Sequence, residues 1–155
     1  MKKIFLMLAI LPLVFISCSK DDNGDGNSEK IVGIWALLDY DEYEKTHTVH
    51  KMYEFETDGT FTYMSDPHYL EFKDGCVYNY DPYMFRIKST GKYSVKDNMI
   101  VITTKDEYLE ADYVFYDDDQ IKIHQTYGWE IEDGEKVEME SNDEYIIIHR
   151  VKKLM

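Results

Sequence analysis

From Ile31 onward, apolar and polar residues alternate at period two, and clusters of Asp, Asn and Gly interrupt the alternation. Successive side chains of a strand point to opposite faces, so such a segment buries one face and wets the other. No long stripe of helical period competes with this pattern. The chain has 14 tyrosines and only 3 prolines, a balance that suits pleated strands. The expected fold class is all-β.

The turns fix how the strands pair. Thr57-Asp58-Gly59 separates Tyr53-Glu54-Phe55-Glu56 from Thr60-Phe61-Thr62-Tyr63. A two-residue Asp-Gly loop would pair Phe55 with Thr62 and divide the aromatic rings between the faces. A three-residue loop with Gly59 left-handed pairs Phe55 with Phe61 and Tyr53 with Tyr63. Burial selects the second, because a one-residue slip inverts every side chain. A two-residue Asp97-Asn98 turn sets Tyr93 and Val95 against Ile102 and Ile100, since Asp and Asn tolerate positive φ. Tyr113 and Phe115 are expected opposite Ile123 and Ile121 across Asp117-Asp118-Asp119. Trp129 and Ile131 are expected opposite Met139 and Val137 across Asp133-Gly134-Glu135. Such hairpins make an antiparallel up-and-down meander of about eight to ten strands, which hides its edges by closing into a barrel. A two-layer sandwich would show the same alternation.

The start of the chain is different. Met1-Lys2-Lys3 and an apolar run from Ile4 to Ile16 match the charged and apolar regions of an export signal. The run is shorter than the about 20 apolar residues of a spanning helix, and Pro12 interrupts it. Ser17-Cys18-Ser19 resembles the lipobox of bacterial lipoproteins, with Ser17 before the cut and Cys18 as the acylated new N-terminus. Lys20-Asp21-Asp22 resembles the lysine-plus-acidic tag of surface-exposed lipoproteins of some Gram-negative bacteria. The resemblance implies a signal peptide over 1–17 and a lipid-bilayer partner through acylated Cys18. It places the protein at the outer membrane, on the cell surface. Residues 18–29 read as an acidic, glycine-containing tether with too little apolar surface to fold, and 30–155 as one domain. Asp21-x-Asn23-x-Asp25-Gly26 opens like a calcium loop, but Val32 stands where its bidentate glutamate belongs.

The chain carries a formal charge of -14; removing residues 1–17 takes Lys2 and Lys3 and no acid, leaving -16. That excludes nucleic acid and anionic lipid surfaces as partners of the domain. With Cys18 acylated, Cys76 has no disulfide partner and reads as a small buried hydrophobe. His47 and His50, three apart on a strand, point to opposite faces, and His68, His124 and His149 are scattered. No His-Glu-x-x-His, paired-cysteine or Gly-x-Ser-x-Gly pattern occurs. No catalytic residue, cofactor or metal is expected, and the chain does not read as an enzyme.

Gly33-Ile34-Trp35 resembles the Gly-x-Trp signature that heads the first strand of lipocalins. The segment read as the final strand, Tyr145-Ile146-Ile147-Ile148-His149-Arg150-Val151, carries an arginine next to its end, which resembles lipocalin-like barrels where it packs over that tryptophan. This resemblance covers Ile31 to the C-terminus. It implies a small lipocalin-like β-barrel sealed at one end by Gly33, Trp35 and Arg150. It also implies a tethered, non-catalytic binding lipoprotein holding a small apolar molecule or glycan at the barrel mouth. Tyr53, Phe55, Phe61, Tyr63, Tyr93 and Tyr113 form the inward set. They are core first, and a ligand lining where a cavity survives. Residues 65–84 break the alternation and are dense in tyrosine. Tyr69, Tyr78, Tyr80 and Tyr83 offer flat faces and hydroxyls to sugars or protein epitopes, which makes a surface interaction or inhibitor protein the alternative. The same rings could instead plug the barrel or cover its open end.

Overall fold

The structure is a computed structural model that describes residues 27–42, 45–67, 70–81, 83, 85–139, 141 and 144–155. One helical turn, α1 (Asn27–Ile31), precedes β1 (Gly33–Asp41), β2 (Thr46–Phe55) and β3 (Thr60–Pro67). Two short strands follow, β4 (Glu71–Lys73) and β5 (Cys76–Tyr78). The long meander is β6 (Phe85–Lys96), β7 (Met99–Thr104), β8 (Glu107–Asp117) and β9 (Gln120–Glu132). The chain ends with β10 (Glu135–Met139), β11 (Ile146–Val151) and β12 (Lys153–Leu154). Asn27 to Glu29, assigned to the tether from sequence, belong to α1.

Eight strands close a barrel in the cyclic order β1-β2-β3-β6-β7-β8-β9-β11, every pair antiparallel, with β11 returning to β1. The meander is therefore a lipocalin-like closed ring and not a sandwich. Its lumen is filled by Trp35, Phe55, Phe61, Ile100, Ile102, Tyr113, Ile121 and Ile148, with Tyr53, Tyr63 and Tyr93 packed against them.

Burial governs the register where one face is apolar. Tyr53 pairs with Tyr63 and Phe55 with Phe61, and Gly59 sits at φ 78°. Tyr93 pairs with Ile102 and Val95 with Ile100 beside Asp97 at φ 55°. Tyr113 and Phe115 face Ile123 and Ile121, but Asp117 pairs with Gln120. The loop is thus Asp118-Asp119, shorter than expected, and the register shifts between Phe115 and Asp117. The Asp117 carboxylate accepts from the Asp119 amide at 2.8 Å and turns the chain there.

The next hairpin overturns its expected register. Glu138, not Met139, pairs with Trp129, and Lys136, not Val137, pairs with Ile131. Asp133 and Gly134 form a two-residue turn with φ of 51° and 83°. Ile131 and Val137 are each 39% exposed, so no buried face opposes the Asp-Gly preference for a tight turn with two positive φ values.

Residues 65–84 hold the largest departure from the sequence reading. They contain β4 and β5, which extend the sheet from the first half of β2, where His47 pairs with Phe72 and Thr48 with Glu71. β12 then joins β5 in parallel, a pairing that no meander predicts. This small sheet folds over the barrel's outer wall and buries a second core of Ala36, Val49, Met52, Met64, Leu70, Val77 and Val151. Among the described residues of this segment none belongs to the lumen core, and Leu70, Phe72, Val77 and Tyr80 pack into the second one.

Candidate functional site

The two ends of the barrel differ in chemistry. At one end the Arg150 guanidinium lies 4.1 Å from the centroid of the Trp35 ring, and the two residues are partners across β1 and β11. Its Nη1 donates to the Val32 carbonyl at 3.1 Å, its Nη2 to that of Lys30, and its Nε to that of Asp118 at 3.1 Å. Trp35 Nε1 donates to the Ile31 carbonyl at 2.7 Å, which ties α1 across the same end. A Cβ on Gly33, at φ 131°, would lie 3.1 Å from Arg150 Nη1. Gly33, Trp35 and Arg150 therefore form a structural seal.

The inward aromatic set divides along the barrel axis. Phe55 and Phe61 pack with centroids 5.2 Å apart, and Phe55 meets Tyr93 at 5.0 Å. The Tyr93 hydroxyl donates to the Glu56 carbonyl at 2.8 Å, and that of Tyr113 to the Asp97 carbonyl at 3.4 Å. These rings are committed to the turns of the sealed end. Tyr53 and Tyr63, 5.8 Å apart, lie further along the lumen.

Beyond them the lining becomes polar. Lys51 Nζ sits 5.8 Å from the Tyr63 centroid. Glu107, at the start of β8, is the direct cross-strand partner of Glu130 on β9. Burial, then the Glu130 charge, raises the Glu107 carboxyl above its ordinary value, while Lys51 pulls it back in part. Burial first, then Tyr63 and Glu107, pushes the Tyr53 hydroxyl up. Lys51, Tyr53, Tyr63, Glu107 and Glu130 thus converge at the end away from Arg150. The sequence reading found the two tyrosines through their alternation but missed the charged groups. Glu107 and Glu130 are 23 positions apart, and a bulge in β8–β9 between Glu110 and Ala111 resets the parity that brings them together.

The other expected site residues are dispersed. Tyr80 is half-buried against the second core, 6.2 Å from the Phe85 ring, and Tyr78 is half-buried in β5. Of the expected surface tyrosines Tyr83 stands out at 93% exposed, and Tyr69 and Cys18 lie outside the described residues. Cys76 is a half-buried free thiol. His50 pairs with Asp39 at 3.0 Å, whereas His47 rests against Tyr40. Among the described residues no group of three or more His, Cys, Asp or Glu is arranged to hold a metal ion. One concavity of about 460 Å³ lies on the outer wall, not in the lumen, beside Leu38, His47, Phe72 and His149.

What the fold defines is a class: a closed eight-stranded antiparallel barrel with one sealed end and one polar end. Comparison with known families adds nothing to that class, since no family model matches the chain and no curated protein matches it.

Proposed function

We propose that the protein is a tethered, non-catalytic binding lipoprotein, held at the outer membrane by acylated Cys18, whose lipocalin-like barrel takes a glycan at its open end. The observation that carries this reading is the convergence of Tyr53 and Tyr63 with Lys51, Glu107 and Glu130 inside the lumen. Of the two ligand classes expected from sequence, a wholly apolar molecule would desolvate these groups without offering them hydrogen bonds, at about 2–7 kcal/mol for a neutral hydroxyl and far more for a charged group. A sugar offers hydroxyls to the carboxylates and ammonium and an apolar ring face to the tyrosines. The like-charge pair is unfavourable for folding, and such pairs concentrate at functional sites. The alternative of a protein-contact surface on residues 65–84 has Tyr83 exposed to carry it, while Tyr78 and Tyr80 are half-buried.

The test uses the full chain expressed in a Gram-negative host and extracted in mild detergent. Mass analysis of the N-terminal peptide is expected to show Cys18 first and acylated; an uncut N-terminus overturns the tether. Native mass spectrometry and titration with a panel of neutral oligosaccharides are expected to show a bound sugar that perturbs Tyr53 and Tyr63. Binding is expected to weaken at least tenfold in Glu107→Gln/Glu130→Gln. No response to any oligosaccharide, with dodecanoate bound instead, overturns the glycan.

A further inference from the structure

We infer that the groove between the small sheet and the barrel's outer wall is a second binding site, one that takes a small planar anion of the aromatic carboxylate class. It does not depend on the lumen reading, because it shares none of the lumen residues. Two concavities of about 460 and 400 Å³ adjoin there and share Phe72, Asp74 and His149. Each lies in the roughly 300–1,000 Å³ range of small-molecule sites. Phe72 reaches the groove from β4 and His149 from β11, with ring centroids 6.0 Å apart, and Leu38 adds an apolar wall from β1. Tilted rings at that distance offer faces and edges to a flat ligand.

Charge decides the sign of the ligand. The chain has 17 Lys and Arg against 31 Asp and Glu, yet the two concavities are lined by four cations and three acids. One of those acids, Asp119, and one of those cations, Lys152, cancel in an ion pair, which leaves Lys45, Lys73 and Arg150 against Glu71 and Asp74. Arg150 is engaged by backbone carbonyls at the seal. Lys45 and Lys73 make no ion pair among the described residues and stand at the rim of the larger concavity. An acidic surface with a locally cationic, half-enclosed groove draws a carboxylate to that groove, where partial desolvation strengthens the attraction. The ring pair then selects a planar body over a flexible one.

The test follows the histidine and Phe72 resonances of the full chain at 0.15 M salt while benzoate is added. Benzyl alcohol and benzylamine are run as the neutral and cationic counterparts. Benzoate is expected to move the His47, Phe72 and His149 signals along one saturating curve, with benzyl alcohol at least fivefold weaker and benzylamine without effect. Lys45→Glu/Lys73→Glu, whose two sites are exposed and outside both cores, is expected to weaken benzoate at least tenfold at unchanged melting temperature. Lys73→Gln is the milder companion and is expected to weaken it about threefold. Absence of saturating benzoate shifts, equal binding of benzylamine, or unchanged affinity in the charge-reversed variant overturns the site.

Discussion

Arg150 shows how much one side chain can hold. Its planar fork stacks on Trp35 and donates to three carbonyls from α1, the residue between α1 and β1, and the β8–β9 turn. Lysine keeps the charge but not the fork. Arg150→Lys is therefore expected to destabilise by about 1–3 kcal/mol, the cost of hydrogen bonds to a charged donor. Urea unfolding at unchanged m-value measures it. Gly33→Ala reaches the same seal from the backbone, where a side chain at φ 131° costs about 1–3 kcal/mol before the Nη1 contact is counted. The polar end makes an opposite prediction. Glu107 titrates above its ordinary 4.5 because burial and Glu130 disfavour its charge. A carboxyl raised in the fold contributes its penalty above the folded value; the penalty is absent below the unfolded value and grows as pH rises between them. Glu130→Gln removes the facing charge and is expected to stabilise by about 0.2–1 kcal/mol at pH 7. It should change nothing at pH 3. Thermal unfolding at the two pH values would read this as a rise of about 1–4 °C against none.

Two Asp-Gly hairpins show which forces act at the scale of elements. At Asp58-Gly59 the core rings Phe55 and Phe61 force the longer loop. At Asp133-Gly134 turn chemistry acts alone and takes the shorter one, because the β10 residues Glu135 to Glu138 are exposed. The register of the first was legible from sequence because burial on one face is written into alternation. That of the second was not, since the sequence shows Ile131 and Val137 as apolar but not that neither is buried. Substitutions should separate the two cases. Gly59→Ala is expected to lower global stability by about 1–2 kcal/mol, the cost of a left-handed alanine. Gly134→Ala places the same strain in the turn that leads into β10, a strand paired with β9 alone. Its expected effect is local: faster amide exchange across β10, with the melting temperature within about 1 °C of the parent.

At the scale of the whole molecule, the barrel was legible and its covering was not. Alternation and local turns set five of the ring's eight pairings between consecutive strands, whereas β3–β6, β9–β11 and β11–β1, which close it, join strands apart in sequence. The second core depends instead on two three-residue strands, too short for a period to register, and on the β5–β12 pairing of segments 77 positions apart. The groove shares that origin: His47, Phe72 and His149 meet only because β4 docks on β2 and β11 runs beside β1. The last four residues hold this covering in place. Lys152 donates its amide to the Gly75 carbonyl at 2.7 Å, Met155 donates to Val77 at 2.9 Å, and Tyr80 donates to Met155 at 2.8 Å. Leu154 packs against the second core. Deleting Lys153 to Met155 removes the last two of these bonds and that contact, yet leaves every barrel pairing intact. The expected loss is about 1–3 kcal/mol for two backbone bonds at roughly 1 each and one part-buried leucine. Its location is the sharper prediction. Limited proteolysis should open within residues 71–83 while amides of β7 and β8 stay protected, and benzoate should lose its effect on His149 while sugar binding persists. Simultaneous loss of both responses would mean that the two cores fold as one unit. That outcome would place the small sheet inside the cooperative barrel and not upon it.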